Sequence, residues 1–403
     1  MKPFDPSELA RRRDEIHAAS FAPESSGAQR VGAEVELLAL DVATRRPVAL
    51  FDGPGALVPI VRRYGAENGW SEFAAYDGTP RFDARGAGLI SFEPGGQIEL
   101  SSVACESPAM LVRLLHAVLL PMRAHLLREG IELVSVGIDP YNDARDIPLQ
   151  LRVDRYERMS RHFDRIGPFG IRMMRQTAAI QVSVDRGERP AERWRLLNDL
   201  APYLIAIFAN SPGYLGQSTG HQSFRAHCWR QLDPTRTGVA EPSEDPAGAY
   251  VRFAASATPI LGDDWNAHLT TLFPEVRPRG HFEVRSCDAI DPRWYAAPIL
   301  FISALAYDDR ASKEAALLAA ESRVLLRRAG EQGLRDPAIA RTARDLFQLA
   351  LDGAKRLGPS FADAQTLAIA AEYYSKYTAR DRSPADDANR SRIFTVRSRS
   401  SRV

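Results

Sequence analysis

The stretch GGQIELSS, residues 95–102, alternates strictly, with Gln97 and Glu99 on one side and Ile98 and Leu100 on the other. A β-strand sends successive side chains to opposite faces. The same alternation recurs three times. In GAEVELLAL, Glu34 and Glu36 oppose Val35 and Leu37. In AIQVSVD, Gln181, Ser183 and Asp185 oppose Ile180, Val182 and Val184. In HFEVRSCD, Glu283 and Arg285 oppose Phe282 and Val284. Strands with one apolar and one polar face predict an antiparallel sheet whose greasy side is covered by helices. An ordinary solvated face favours Thr, Lys and mixed charge, whereas here the polar positions are mainly Glu and Gln. Carboxylates crowded on one concave face repel one another unless cations sit between them. Hard divalent ions with oxygen ligands match that need, so magnesium or manganese is the expected ion. Glu93, in SFEPGG, precedes two glycines, a position from which it is expected either to reach the same site from the strand edge or to be an exposed turn acid.

The bulk numbers narrow the alternatives. The chain has 403 residues, 45% hydrophobic and 26% charged, with a formal net charge of +1. That composition is globular and carries no overall nucleic-acid footprint. No run approaches the ~20 apolar residues of a membrane helix. The charged start, MKPFDPSELARRRDEIH, lacks the apolar core of a signal peptide. Cys105, Cys228 and Cys287 show neither disulfide nor zinc-ligand spacing, which suits the cytoplasm. Lysine occurs only at positions 2, 313, 355 and 376. Between residues 3 and 312 there is therefore no lysine for a Walker loop or a Schiff base. Phosphates bound in that region must be met by arginine and metal ions.

The patterns predict one catalytic domain over 1–380 and an Arg/Ser-rich, disordered tail over 381–403. Strands are expected at 30–41, 97–102, 131–140, 178–185 and 281–288, and a helix at 107–130 between Ser107 and Gly130. Residues 190–212 read as a helix interrupted near Pro202. Residues 213–238 read as a long irregular loop, the kind that is usually functional. From Ala297 to about Lys376 the pattern is helical. Among the arginines, Arg225, Arg236, Arg285 and Arg175 lie beside polar sheet or loop chemistry. A guanidinium offers carboxylate or phosphate a charged fork. Histidines 221, 227, 268 and 281 lack metal-ligand spacing.

Taken together, VGAEVELL, FEPGGQIELSS, MMRQTAAIQVSVD, FANSP, SFRAHCWRQLDPTRTG and HLTTLFPEVRPRGHFEVRSCDA resemble the plant-type glutamate–cysteine ligases and their bacterial relatives. The resemblance runs from about Arg30 to Asp308. It implies a glutamine synthetase-like α+β fold, with an antiparallel sheet forming a funnel and helices on its outer face. It implies ATP-dependent joining of the glutamate γ-carboxylate to the amine of cysteine, as in low-molecular-weight thiol biosynthesis. A carboxylate–amine ligase with a different acceptor amine would carry the same motifs. By resemblance, Glu34, Glu36, Glu93, Glu99 and Glu283 match acids around magnesium. Arg225 and Arg285 match arginines near the substrate carboxylate and the transferring phosphoryl group. Arg236 and Asn210 fall in substrate-side loops, with Arg175 beside them. Gln181 stands where some relatives place a histidine near the metals. The expected partners are glutamate, cysteine or another amine, and ATP, with neither nucleic acid nor membrane, in a monomer or homodimer.

Overall fold

The computed structural model describes residues 5–24 and 29–388. Nine strands form one sheet: β1 (Val31–Asp41), β2 (Ser71–Ala74), β3 (Pro80–Asp83), β4 (Gly88–Phe92), β5 (Ile98–Ser102), β6 (Ile131–Val134), β7 (Ala179–Asp185), β12 (Val276–Pro278) and β13 (His281–Asp288). Two small pairs lie apart from it, β8 (Gly213–Tyr214) with β9 (Gln217–Ser218) and β10 (Thr237–Gly238) with β11 (Phe273–Pro274). The order across the sheet is β12-β13-β7-β1-β5-β4-β3-β2, and β6 pairs with the far half of β1. Every pairing in the large sheet is antiparallel.

Alternation does the sorting. Val35, Leu37, Ile98, Leu100, Val182, Val184, Phe282 and Val284 are all fully or almost fully buried. They face the helices Pro108–Arg128, Pro190–Ile207 and Ala296–Tyr307, which pack on that side of the sheet. The helix Ala296–Tyr307 is buried at all twelve positions, and Pro337–Leu357 and Ala364–Lys376 pack outside it. The expected fold class, α+β with helices on one face of an antiparallel sheet, is the one found.

Several elements depart from expectation. The strand expected to reach residue 140 stops at Val134 and gives way to turns, in which Asp139 Oδ1 accepts from the Tyr141 and Asn142 amides. The helix at 190 runs unbroken through Pro202 to Ile207. A proline inside a helix forfeits one hydrogen bond, but here every residue from Leu196 to Ile207 is buried, and packing holds the helix through it. The irregular segment 213–238 contains a helix, Phe224–Leu232, started by Ser223 Oγ accepting from the Ala226 amide at 3.1 Å. The helix Pro108–Arg128 is long and apolar enough to cross a membrane by length and composition, contrary to the reading of the sequence. Its Leu111, Leu115, Met122 and Leu126 are buried in the core of the fold. The segment expected as a disordered tail begins in contact with the body: Pro384–Ala388 is helical and the Ala385 amide donates to the Ala209 carbonyl. The remainder of that tail, 389–403, lies outside the described residues.

Candidate active site

On the polar face of the sheet lies a cavity of about 710 Å³. Its floor comes from neighbouring strands in register. Glu36 stands directly across from Glu99, and Glu34 lies between Ser101 on one side and Gln181 on the other. Directly opposed cross-strand side chains have Cβ atoms about 5 Å apart. Glu93 joins them from the β4–β5 turn. That turn explains the two glycines: Gly96 has φ +93°, and a Cβ on Gly95 would lie 2.1 Å from the Arg175 carbonyl oxygen. With the turn closed by the Gly96 amide on the Glu93 carbonyl at 2.9 Å, Glu93 is held at the cavity wall.

The four acids differ in how the protein satisfies them. Glu36 accepts from Gln181 Nε2 at 2.8 Å and from the Ala179 amide at 2.9 Å. Glu99 accepts from Ser91 and Ser101 hydroxyls at 3.2 and 3.0 Å, both through Oε1. Burial and the neighbouring negative charges raise their pKa values. Glu34 is pushed up to about 8 by burial, Glu99 and Glu283. Glu99 rises to about 7 by burial and Glu36. Glu36 reaches about 6, where burial outweighs the attraction of Arg225 and Arg285. Glu93 is raised well above its ordinary value, by burial and by Glu99 and Glu36. The buried Gln181 Oε1 has no hydrogen-bond partner among the described residues. Repelling carboxylates and an orphaned amide oxygen on one wall form an oxygen-rich set suited to a hard cation. Among the described residues no three Asp, Glu, His or Cys side chains converge closely enough to hold an ion by themselves.

Glu283, expected among these acids, sits behind them and is 1% exposed. Its carboxylate is met by Arg285 at 2.7 Å and by Arg277 at 3.4 Å. Against the cost of burial, Arg285, Arg277 and Arg279 hold its pKa at about 2. It acts first as the counter-charge of these arginines. Arg285 lines the cavity, and Arg225 lies behind it, its Nη2 donating to the Arg285 carbonyl at 2.9 Å. Both guanidiniums lie over Trp229, at 4.7 Å for Arg225 and 5.2 Å for Arg285. A β-bulge produces this stack: between Val284 and Cys287 the register against β7 slips by one residue. Bulges of this kind re-aim side chains.

Three expected substrate contacts lie elsewhere. Arg236 is fully buried and bonded to Asp233, Thr271 and the Thr258 carbonyl. Asn210 donates to the Ser135 and Ala289 carbonyls, and its amide donates to Asp288. Arg175 donates to the Ile147 carbonyl and the Ser160 hydroxyl. All three brace loops around the cavity rather than line it.

The sequence reading missed other lining residues: Arg81, Arg155, Tyr156, Arg277 and Trp229, the Met159–Met173–Met174 group, and Ile16, Ala19 and Ser20. Ala19 and Ser20 belong to a π-helical turn, His17–Phe21, a feature frequent at functional sites, and Ile16 immediately precedes it. Hydrophobic patterning marks the methionines only as core residues, and nothing in the sequence brings the N-terminal turn to the sheet.

Comparison with known proteins places this geometry. The profile of glutamate-cysteine ligase family 2 (GCS2) matches residues 30–373. The chain belongs to this family. The match extends through the helical region that the motifs alone left unassigned, and the residues of the acidic floor all fall within it. Among similar proteins, the glutamate–cysteine ligase EgtA of Mycolicibacterium smegmatis is 31% identical over 89% of this chain and 86% of its own length. The chloroplastic glutamate–cysteine ligase of Brassica juncea is 29% identical over 87% of this chain and 76% of its own. A crystal structure of a glutamate–cysteine ligase from Francisella tularensis in complex with AMP shares the fold. Its TM-score is 0.58 at 14% identity, with 90% of this chain and 84% of that one covered.

Proposed function

We propose that the cavity joins the γ-carboxylate of glutamate to the amine of cysteine at the expense of ATP. The observation that carries this reading is the acidic floor of Glu34, Glu36, Glu93 and Glu99 beside Arg285, in a chain of the glutamate–cysteine ligase family. A carboxylate is a poor electrophile, and phosphorylation makes it a good one. In the first step a γ-carboxylate oxygen attacks the γ-phosphorus of ATP and ADP leaves, giving γ-glutamyl phosphate. In the second, the cysteine amine attacks the acyl carbon, the C–O bond to phosphate breaks and the amide forms.

The protein supplies position and charge. Glu34, Glu93, the free oxygen of Glu99 and Gln181 Oε1 would hold magnesium, with manganese as the alternative ion. When bound, such an ion neutralises phosphate charge and polarises the phosphoryl group. Arg285, fixed by Glu283 and by Trp229, presents its remaining donors to the negative charge that develops during transfer. Arg225 supports it from behind through the Arg285 carbonyl. No covalent nucleophile is needed, and the three cysteines are buried and free, consistent with a reducing cytoplasm.

The test is ADP release measured with glutamate, ATP, magnesium and each of a panel of amines, with the product identified by mass. Release that requires glutamate and cysteine, with a product lighter than their sum by one water, is the expected result. Release with a different amine would keep the chemistry and change the acceptor. Tight ATP binding without ADP release by any amine would instead mark a nucleotide-binding module.

A further inference from the structure

We propose that Arg81, on the hairpin of β2 and β3, anchors the polyphosphate of the nucleotide at the flank of the acidic floor opposite Arg285. This inference rests on the ATP-dependent reading above. Arg81 lines the cavity, and its Nε is buried without a hydrogen-bond partner among the described residues. None of the described carboxylates lies within ion-pair distance of it, although most arginines of this chain have such a partner.

Register fixes where it stands. Asp83 pairs with Leu89 and Phe82 with Ile90, so the next step of the ladder brings Arg81 level with Ser91. Ser91 pairs with Glu99, and Glu99 with Glu36. Arg81, Ser91, Glu99 and Glu36 therefore form one row across four strands on the cavity side of the sheet. With strands ~4.8 Å apart, Arg81 stands about 10 Å from the strand of Glu99. Beyond Glu36 the sheet continues through β7 to β13 and Arg285.

The floor thus has a cationic edge on each side, and the reaction needs two anions to meet over it. The charges on the two edges differ. On the β13 side, Arg285 and Arg277 share the one carboxylate of Glu283, and Arg279 stands beside them. On the β3 side, Arg81 is not met by any described acid. The nucleotide's terminal phosphates must meet the acids of the floor, and Arg81, in one row with Ser91 and Glu99, offers them a fork that no described acid occupies. The amino-acid carboxylate needs only the donors that Arg285 has left. At the tip of the same hairpin Tyr76 lines the cavity rim with its side chain 92% exposed, leaving ring surface for a base to cover.

Initial rates of ADP release test this on the full-length wild type, Arg81→Ala and Arg81→Lys. ATP is varied at saturating glutamate and amine, and glutamate is varied at saturating ATP. Loss of a charge-assisted fork predicts a rise of about tenfold or more in the KM for ATP in Arg81→Ala, partly recovered by lysine. The KM for glutamate should stay within about twofold, since its flank is untouched. Because Arg81 has no internal bond to lose, the melting temperature should not fall. An unchanged KM for ATP, or a rise for glutamate in its place, overturns the inference. Should the wild type release no ADP with any amine, the ligase reading fails first. Equilibrium binding of magnesium–ATP to wild type and Arg81→Ala then decides the anchoring role alone, equal affinities refuting it.

Discussion

Arg285 and Glu283 separate chemistry from packing most cleanly at the scale of single residues. Glu283 is 1% exposed and ionised, so Arg285→Ala would leave a buried charge with only Arg277 at 3.4 Å. Breaking such a pair costs about 3 kcal/mol or more, while removing both partners is nearly neutral. Urea denaturation should show Arg285→Ala strongly destabilised and Glu283→Gln/Arg285→Ala recovered only in part, because Arg277 then loses its acid. Neither variant should regain turnover, because the donor facing the substrate is gone from both. Glu99→Gln makes the complementary case. The serine hydroxyls of residues 91 and 101 still have an oxygen to bond, so the fold should persist. ADP release should fall by at least about a hundredfold, the usual loss when one aimed electrostatic group is removed. Arg236→Ala should do the reverse: it empties a fully buried site, with a stability loss of about 3 kcal/mol. The substrate KM values of the surviving enzyme should be unchanged.

At the scale of elements, the helix Phe224–Leu232 holds the arginine stack in place. Its cap, Ser223, also donates to Asp288 at 2.9 Å, and Asp288 lies 3.8 Å from Arg225. Ser223→Ala should lower stability by about 1–2 kcal/mol in denaturant titrations. It should also weaken turnover, by loosening Arg225 behind Arg285. Elements of this kind divide what is legible in a sequence from what is not. Strands β1, β5, β7 and β13 could be read from alternation because each has one face in the core and one toward the cavity. Glu34, Glu36 and Glu99 came with them, since period-2 geometry carries side chains to a face without further information. Glu283 shares that face, but its partner was misjudged: two nearby arginines claim it, and one of them, Arg277, comes from a separate short strand. The helix at 224 was hidden by the Gly/Ser/Thr-rich segment before it, and Arg236, Asn210 and Arg175 were placed by motif proximity. Proximity in a motif does not tell whether a guanidinium or amide points at a cavity or at backbone carbonyls.

For the molecule as a whole, the crowded floor sets a pH dependence. Glu34, Glu99 and Glu36 titrate at about 8, 7 and 6 in the fold, against an ordinary 4.5. Raised carboxylates mean that the folded state holds more protons than the unfolded state between these values, so stability falls as pH rises. Their favourable contribution is complete below about pH 4.5 and is lost progressively up to about pH 8. Glu283, held at about 2, works in the opposite sense but only below that window. Burial holds His227, His268 and His281 below their ordinary 6.5, which opposes this trend up to that pH, so thermal melts with a chelator present should fall from pH 6.5 to pH 8. Added magnesium should restore the melting temperature at pH 8 and change it little at pH 5. A flat profile with no response to the ion would contradict the proposed metal role.

The extra residue where β13 runs past Gln181 also bears on how this protein tolerates change. Loss of one codon at 285 or 286 would straighten the strand yet leave Cys287 opposite Ile180 and Asp288 opposite Ala179, so the arginine stack would lose its aim while the pairing beyond it survived. Libraries that sample short insertions and deletions should yield folded but inactive chains from a one-residue deletion here, whereas an insertion, which shifts Cys287 and Asp288 off their partners, should not fold.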